Sequence, residues 1–177
     1  RFEYAAARLT ASLFRGLPLP AAAALGHAVG SSFHALDARH RERVIQQVQS
    51  AFGPTCPRDQ AADIAHRMYR HLGTMLAEFV RLPSLTAESL GDHVDWRGQD
   101  EQVRDLLARG RGVIFATGHI GNWEFNGFAF HLLGYSAGAV ARPLDNPLLE
   151  RYIRGIRTSR GQQIWDKRGA LRPVIRA

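Results

Sequence analysis

Gly112-Val113-Ile114-Phe115-Ala116-Thr117-Gly118-His119-Ile120-Gly121-Asn122-Trp123-Glu124 is the stretch on which the reading of this 177-residue chain turns. Its first half is apolar and β-prone and ends in a glycine. A histidine, a Gly-Asn turn and a glutamate follow, the last opening an apolar helical pattern. The spacing predicts a buried strand over residues 113–117, a tight turn, and a helix over residues 122–133 closed by Gly134. Asn122 is the expected N-cap of that helix. In open α/β sheets, ligands bind beyond the carboxyl ends of the strands. An imidazole placed there can act as a general base, and a carboxylate five positions further on can fix its tautomer and raise its basicity. His119 and Glu124 are therefore the candidate catalytic pair.

Working outward, the pattern from residue 93 alternates short apolar strands with helices. Strands are expected at residues 94–97, 113–117, 137–141 and 163–165, and helices at 100–109, 122–133 and 147–159. Asn146-Pro147 is a capping arrangement with proline at the first helical position. Such alternation argues for an α/β fold, a mainly parallel sheet with flanking helices and right-handed crossovers. Arg142 then ends a strand on the same edge as His119, where an arginine can bind a phosphate or carboxylate. Its plainer alternative is a surface ion pair with Asp145, worth little.

The N-terminal region has a different character. No acidic residue occurs between Tyr4 and Leu36, while Arg8 and Arg15 lie among leucines, phenylalanines and alanines. Pro18, Pro20, Gly26 and Gly30 interrupt the stretch, which is too broken for the roughly 20 apolar residues of a membrane span. Amphipathic helices lying at a membrane interface and helices packed on the domain's own core fit the pattern equally. The pattern has no compact apolar core with a cleavage site, so a secretory signal is not expected in it. A basic helix follows at residues 38–52, with Val44, Ile45, Val48 and Phe52 in register. The next, at about 59–82, carries Ile64, Met68, Leu72, Leu76, Phe79 and Val80 on one face. His66 and His71 fall outside that stripe and are expected to face solvent. The expected division falls between residues 1–36 and 37–177.

Charge is unevenly placed. The chain has a net charge of +7, and residues 142–177 hold nine basic residues against three acidic ones, so that segment alone carries +6. A local field of this kind favours phosphates, anionic headgroups or an acidic protein. Lys167 is the only lysine among the 23 basic residues, a bias that a GC-rich genome produces by itself. The single Cys56 excludes a disulfide within the chain.

No serine or cysteine stands as a nucleophile beside His119, so direct transfer is favoured over a covalent intermediate. Gly118 and Gly121 let a substrate approach the backbone, and amides at the head of the following helix can meet an oxyanion. Trp123 is read as a core residue or a wall of a binding pocket. A zinc site on His119 and Glu124 lacks a ligand set: His131 lies seven residues beyond Glu124 within an apolar helix.

The segment Gly118-His119-Ile120-Gly121-Asn122-Trp123-Glu124 resembles the His-x4-acidic motif of bacterial lysophospholipid and lipid A acyltransferases. It is most similar to the lipid A branch, where the motif typically reads Gly-His-aromatic-Gly-Asn-Trp-Glu; here Ile120 stands at the aromatic position. The resemblance continues in Ala141-Arg142-Pro143-Leu144-Asp145-Asn146-Pro147-Leu148, in Arg157 and Gly161, and in Asp166-Lys167-Arg168-Gly169-Ala170-Leu171. It covers nearly the whole chain, with the specific motifs confined to residues 90–177.

The resemblance implies a glycerolipid acyltransferase-like fold, with membrane-associating helices over residues 1–36 and the catalytic domain over residues 37–177. It also implies an enzyme moving a fatty acyl chain from acyl carrier protein or acyl-CoA to a hydroxyl of a glycolipid or phospholipid acceptor. The work would take place at the cytoplasmic face of the bacterial inner membrane. His119 would remove the hydroxyl proton and Glu124 would orient the imidazole, with Gly121, Asn122, Arg142 and Arg157 binding substrate. Arg157 is geometrically awkward, since ten residues of helix, about 15 Å, carry it away from the strand ends. No cofactor, metal or nucleic acid is expected. At this length the chain reads as a fragment of the usual enzyme of that branch, with further strands on the C-terminal side. Rival readings are acyl transfer to a phosphatidylinositol mannoside or lysophospholipid, and an inactive membrane-peripheral anion-binding module.

Overall fold

The computed structural model describes residues 1–95 and 99–176. The chain divides into two compact units, Arg8–Arg81 and a second made of Arg1–Ala7 with Leu82–Ala177.

In the Arg8–Arg81 unit the helices are α1 (Phe2–Gly16, from Arg8 on), α2 (Leu19–Leu36), α3 (Ala38–Phe52) and α4 (Arg58–Phe79). Asp37 ends α2 and caps α3, its side chain accepting from the His40 N–H at 3.1 Å. Gly53, at φ 68°, and Pro54 end α3. Three arginines satisfy helix-end carbonyls. Arg15 Nε donates to Val80 O at 2.7 Å, Arg81 Nη1 to Leu17 O at 2.8 Å and to Phe14 O, and Arg41 Nη1 to Ala35 O at 3.0 Å and His34 O.

The α2–α4 pair shows what the glycines are for. Ala22, Gly26 and Gly30, spaced by four, are the buried residues of α2. They meet Gly73 and the Tyr69 backbone of an antiparallel α4. A Cβ on Gly26 would lie 2.6 Å from Gly73 O, and one on Gly30 2.1 Å from Tyr69 O. The backbones approach this closely only because no side chain intervenes. The buried residues of α4 are accordingly Ala61, Ala65, Gly73, Met75, Ala77 and Phe79; of the expected stripe Phe79 and Val80 are buried, Ile64, Met68 and Leu72 half-buried and Leu76 exposed. Ile45 of α3 packs with Cys56, Ala61 and Ala65, whereas Phe52 is exposed.

His66 departs from expectation as well. Half-buried, it hydrogen-bonds Ser31 Oγ through Nε2 at 3.2 Å, and its ring stacks on that of His34 with centroids 4.8 Å apart. The histidine sits where α4 faces α2, one turn from the glycine contact. His71 is exposed, as expected.

The second unit contains α5 (Ala87–Leu90), α6 (Gln99–Ala108), α7 (Glu124–Leu132), β1 (Gly138–Ala141), α8 (Pro147–Arg157), β2 (Gln163–Asp166) and α9 (Leu171–Arg176). Among the described residues the sheet has two strands, β1 and β2, parallel with Gly138 opposite Gln163 and Ala141 opposite Asp166. Helix α8 forms the crossover between them. Leu82, Phe128, Ala129 and Ile156 are buried, and Arg160 Nη2 ties β2's approach to Pro83 O and Leu85 O at 2.9 and 2.8 Å.

One of the four expected strands needs correction, and a second lies partly outside the described residues. Residues 113–117 carry no ladder, and Ile114 is 90% exposed. The segment is anchored by side chains instead, with Phe115 against Phe130 at 4.5 Å between rings. An apolar run becomes a buried strand only when a neighbour takes its backbone hydrogen bonds, and β1 is paired with β2. At 94–97, Val94 N–H closes a helical turn onto Leu90 O at 2.9 Å, and Trp96 and Arg97 lie outside the described residues. The α/β expectation is thus met in part: a mainly helical chain with one parallel βαβ unit. Among the described residues, no helix is long and apolar enough to cross a membrane.

Candidate active site

His119 lies in the irregular segment ahead of α7 and is exposed. Its ring stands edge-on to that of Trp123, with centroids 4.6 Å apart and planes at 75°. Gly121, at φ 59°, supplies the left-handed turn between them, a conformation that a β-branched residue resists. Trp123 is half-buried rather than part of the core, and its indole is the imidazole's neighbour. The i, i+4 spacing of His119 and Trp123 was the available signal for this contact.

The first helical residue of α7 is Glu124, preceded by Trp123 rather than by Asn122 at the N-cap, with no side-chain cap. The reason is a tight entry turn. Phe125 N–H bonds to Asn122 O at 3.1 Å and Asn126 N–H to Trp123 O at 3.2 Å, so the N-cap moves one residue later, to Trp123. Those two amides are used inside the turn at the head of α7.

The Glu124 carboxylate is joined to Arg157 rather than to His119. Arg157 Nε donates to Oε2 at 2.9 Å and Nη2 to Oε1 at 2.5 Å, a two-pronged contact between side chains only 26% and 13% exposed. The hydrogen bond to Glu124 and its negative charge push the Arg157 guanidinium further up from its ordinary value, against the opposing effect of burial; Glu150 adds to the rise. Arg157 therefore reaches the site that helix length had been expected to deny it. That expectation placed Glu124 at the carboxyl edge of a sheet strand, and residues 113–117 do not join the sheet. Helix α7 instead lies against the approach to β2: a Cβ on Gly127 would meet Gln162, and one on Gly161 would meet His131. Its first turn thus faces the last turn of α8. His131 is satisfied by Gly127 O at 3.1 Å.

Arg142 is exposed and pairs with Asp145 at 2.9 Å. The strand edge it was expected to share with His119 is not formed, because residues 113–117 are outside the sheet. Asn146 caps α8 as expected, its Oδ1 accepting from the N–H groups of Leu148 at 3.1 Å and Leu149 at 3.4 Å.

An exposed imidazole beside a turn, with an arginine-held carboxylate five residues on at a helix head, defines a candidate general-base site. The sequence model of the bacterial lipid A biosynthesis acyltransferases matches residues 5–177, so the chain belongs to that family. No curated protein matched the sequence, and no solved structure matched it.

Proposed function

We propose that this acyltransferase moves a fatty acyl chain from the thioester of acyl carrier protein to a hydroxyl of a lipid A-type glycolipid precursor. The reading rests on the Glu124–Arg157 pair at the head of α7, five residues from an exposed His119. His119 takes the proton of the acceptor hydroxyl as the oxygen attacks the thioester carbonyl. The tetrahedral oxyanion meets the positive end of α7, which begins beside His119. Collapse of the intermediate breaks the C–S bond, and the imidazolium returns its proton to the departing thiolate. Glu124, oriented by Arg157, steadies the imidazolium across the turn once substrate draws the two together. Gly121 keeps the turn open to the acceptor.

Work at the cytoplasmic face of a bacterial inner membrane is part of this proposal. Exposed Phe2, Leu9 and Leu13 on α1, interleaved with arginines, fit an interfacial helix. The test is an assay of acyl transfer from acyl carrier protein against several acceptors: a lipid A precursor, a phosphatidylinositol mannoside and a lysophospholipid. Transfer to the lipid A precursor supports the assignment. Transfer to another acceptor moves it within the same chemistry, and no turnover of any thioester ends it.

A further inference from the structure

Trp123 takes no part in the reaction above and is not among the buried core residues. It is the N-cap residue of α7, with helical backbone angles (φ −60°, ψ −18°), and its carbonyl accepts the Asn126 N–H at 3.2 Å. The half-buried indole therefore stands on the fixed head of a helix, whereas the exposed His119 stands on irregular backbone. Gly121, at φ 59°, turns the chain between them, and the two rings meet with centroids 4.6 Å apart and planes at 75°. That is the edge-to-face arrangement aromatic rings prefer.

A general base must hold its nitrogen within about 2.6–3.2 Å of the proton it takes. An exposed histidine has free side-chain torsions with which to miss that position. In a histidine–carboxylate pair the carboxylate ordinarily supplies the restraint. Here both Glu124 oxygens are engaged by Arg157, at 2.9 and 2.5 Å. Among the described residues the imidazole itself makes no hydrogen bond or ion pair. The ring contact with Trp123 is then what restrains His119 before substrate arrives.

We infer that Trp123 is the positioning residue for His119, fixing the imidazole's rotamer through an edge-to-face ring contact. It acts through the base and not on the substrate. The contact needs a flat aromatic partner, which an aliphatic side chain cannot supply. The Trp123 side chain makes no capping hydrogen bond, so its replacement leaves the head of α7 its backbone bonds. The inference rests on the acyl-transfer reading for what the positioned base does.

Two measurements on the intact chain test it. The first is tryptophan fluorescence of the wild type and His119→Ala from about pH 8 to about pH 5, across the ordinary imidazole range. A protonated imidazole in ring contact quenches an indole. Wild-type emission should therefore fall on acidification by an amount that His119→Ala removes. The chain has three tryptophans, and the difference between the two proteins isolates the one beside His119. The second measurement is acyl transfer from acyl carrier protein to a lipid A precursor by Trp123→Phe and Trp123→Leu. Trp123→Leu should lower kcat by about tenfold or more and change KM by less than about twofold. Trp123→Phe, which keeps an aromatic ring, should retain most of the wild-type rate. The inference is overturned by identical fluorescence profiles for the wild type and His119→Ala, by a Trp123→Leu protein at full rate, or by equal kcat losses in the two Trp123 variants. If Trp123→Leu does not fold, the fluorescence comparison and Trp123→Phe still decide. A wild type that shows the quench but turns over no thioester overturns the acyl-transfer reading, and the positioning role with it. Turnover that depends on His119 without the quench overturns this inference alone.

Discussion

Glu124 at the head of α7 and Arg157 in the last turn of α8 are locked by two parallel hydrogen bonds of 2.9 and 2.5 Å across 33 residues of sequence. The contact joins the two helices that flank β1 in the chain, so it contributes to the fold as well as to the site. Because both side chains are largely shielded from water, either one left alone carries a charge with no partner.

Arg157→Gln and Glu124→Gln should each lower acyl transfer by about 10- to 100-fold, with the double variant no worse than the weaker single, as expected of residues acting as one unit. Arg157→Lys should not rescue, because an ammonium cannot supply the fork. Breaking the pair should also destabilise the chain by about 1–3 kcal/mol, read from urea unfolding. Additive kinetic losses would mean that the two residues act separately.

The glycine contact between α2 and α4 predicts an unusual sign. Glycine to alanine within a helix ordinarily stabilises by up to about 1 kcal/mol. Gly73→Ala should instead destabilise by about 1–3 kcal/mol, because its Cβ would fall 1.9 Å from Gly26 O. Gly155→Ala in α8, where nothing lies within 4 Å, should show the ordinary gain. Thermal unfolding of the two variants side by side checks both signs.

Acid should weaken the same helix pair. Burial lowers the His34 pKa from its usual value near 6.5, and the charges of His66 and Arg41 lower it further. The groups facing the ring are His66 and Tyr69 from α4 and Arg41 from α3. With a depressed folded value, the unfolded chain binds more protons as pH falls through 6.5, so the contribution to stability is present above that pH and is lost below it. The urea midpoint should drop between pH 7.5 and 5.5 in the wild type and change less in His34→Asn. Equal pH slopes would contradict the assignment to His34.

How much of this was written in the sequence follows the range of the interactions involved. The bounds of α3, the Asn146-Pro147 cap and strands β1 and β2 depend on neighbours a few residues away, and local pattern is sufficient for them. Residues 113–117 have the composition of a strand, but pairing needs a partner that no local pattern supplies. Gly26 and Gly30 read as interruptions because their purpose lies on another helix, at Tyr69 and Gly73. His119 and Glu124 stood out through spacing alone. Their actual neighbours, Trp123 and Arg157, were set by a late helix start and by the packing of α7 against the approach to β2, which no local pattern supplies.

The measurement that bears most directly on the site is the rate of acyl transfer from acyl carrier protein to a lipid A precursor, for the wild type and His119→Ala at matched folding. His119 is exposed, with its ring in T-shaped contact with that of Trp123, so its removal should leave the melting temperature unchanged. The rate should fall by at least about 100-fold, as for loss of a general base. A His119→Ala protein that transfers acyl groups at the wild-type rate would contradict the assignment of His119 as the base.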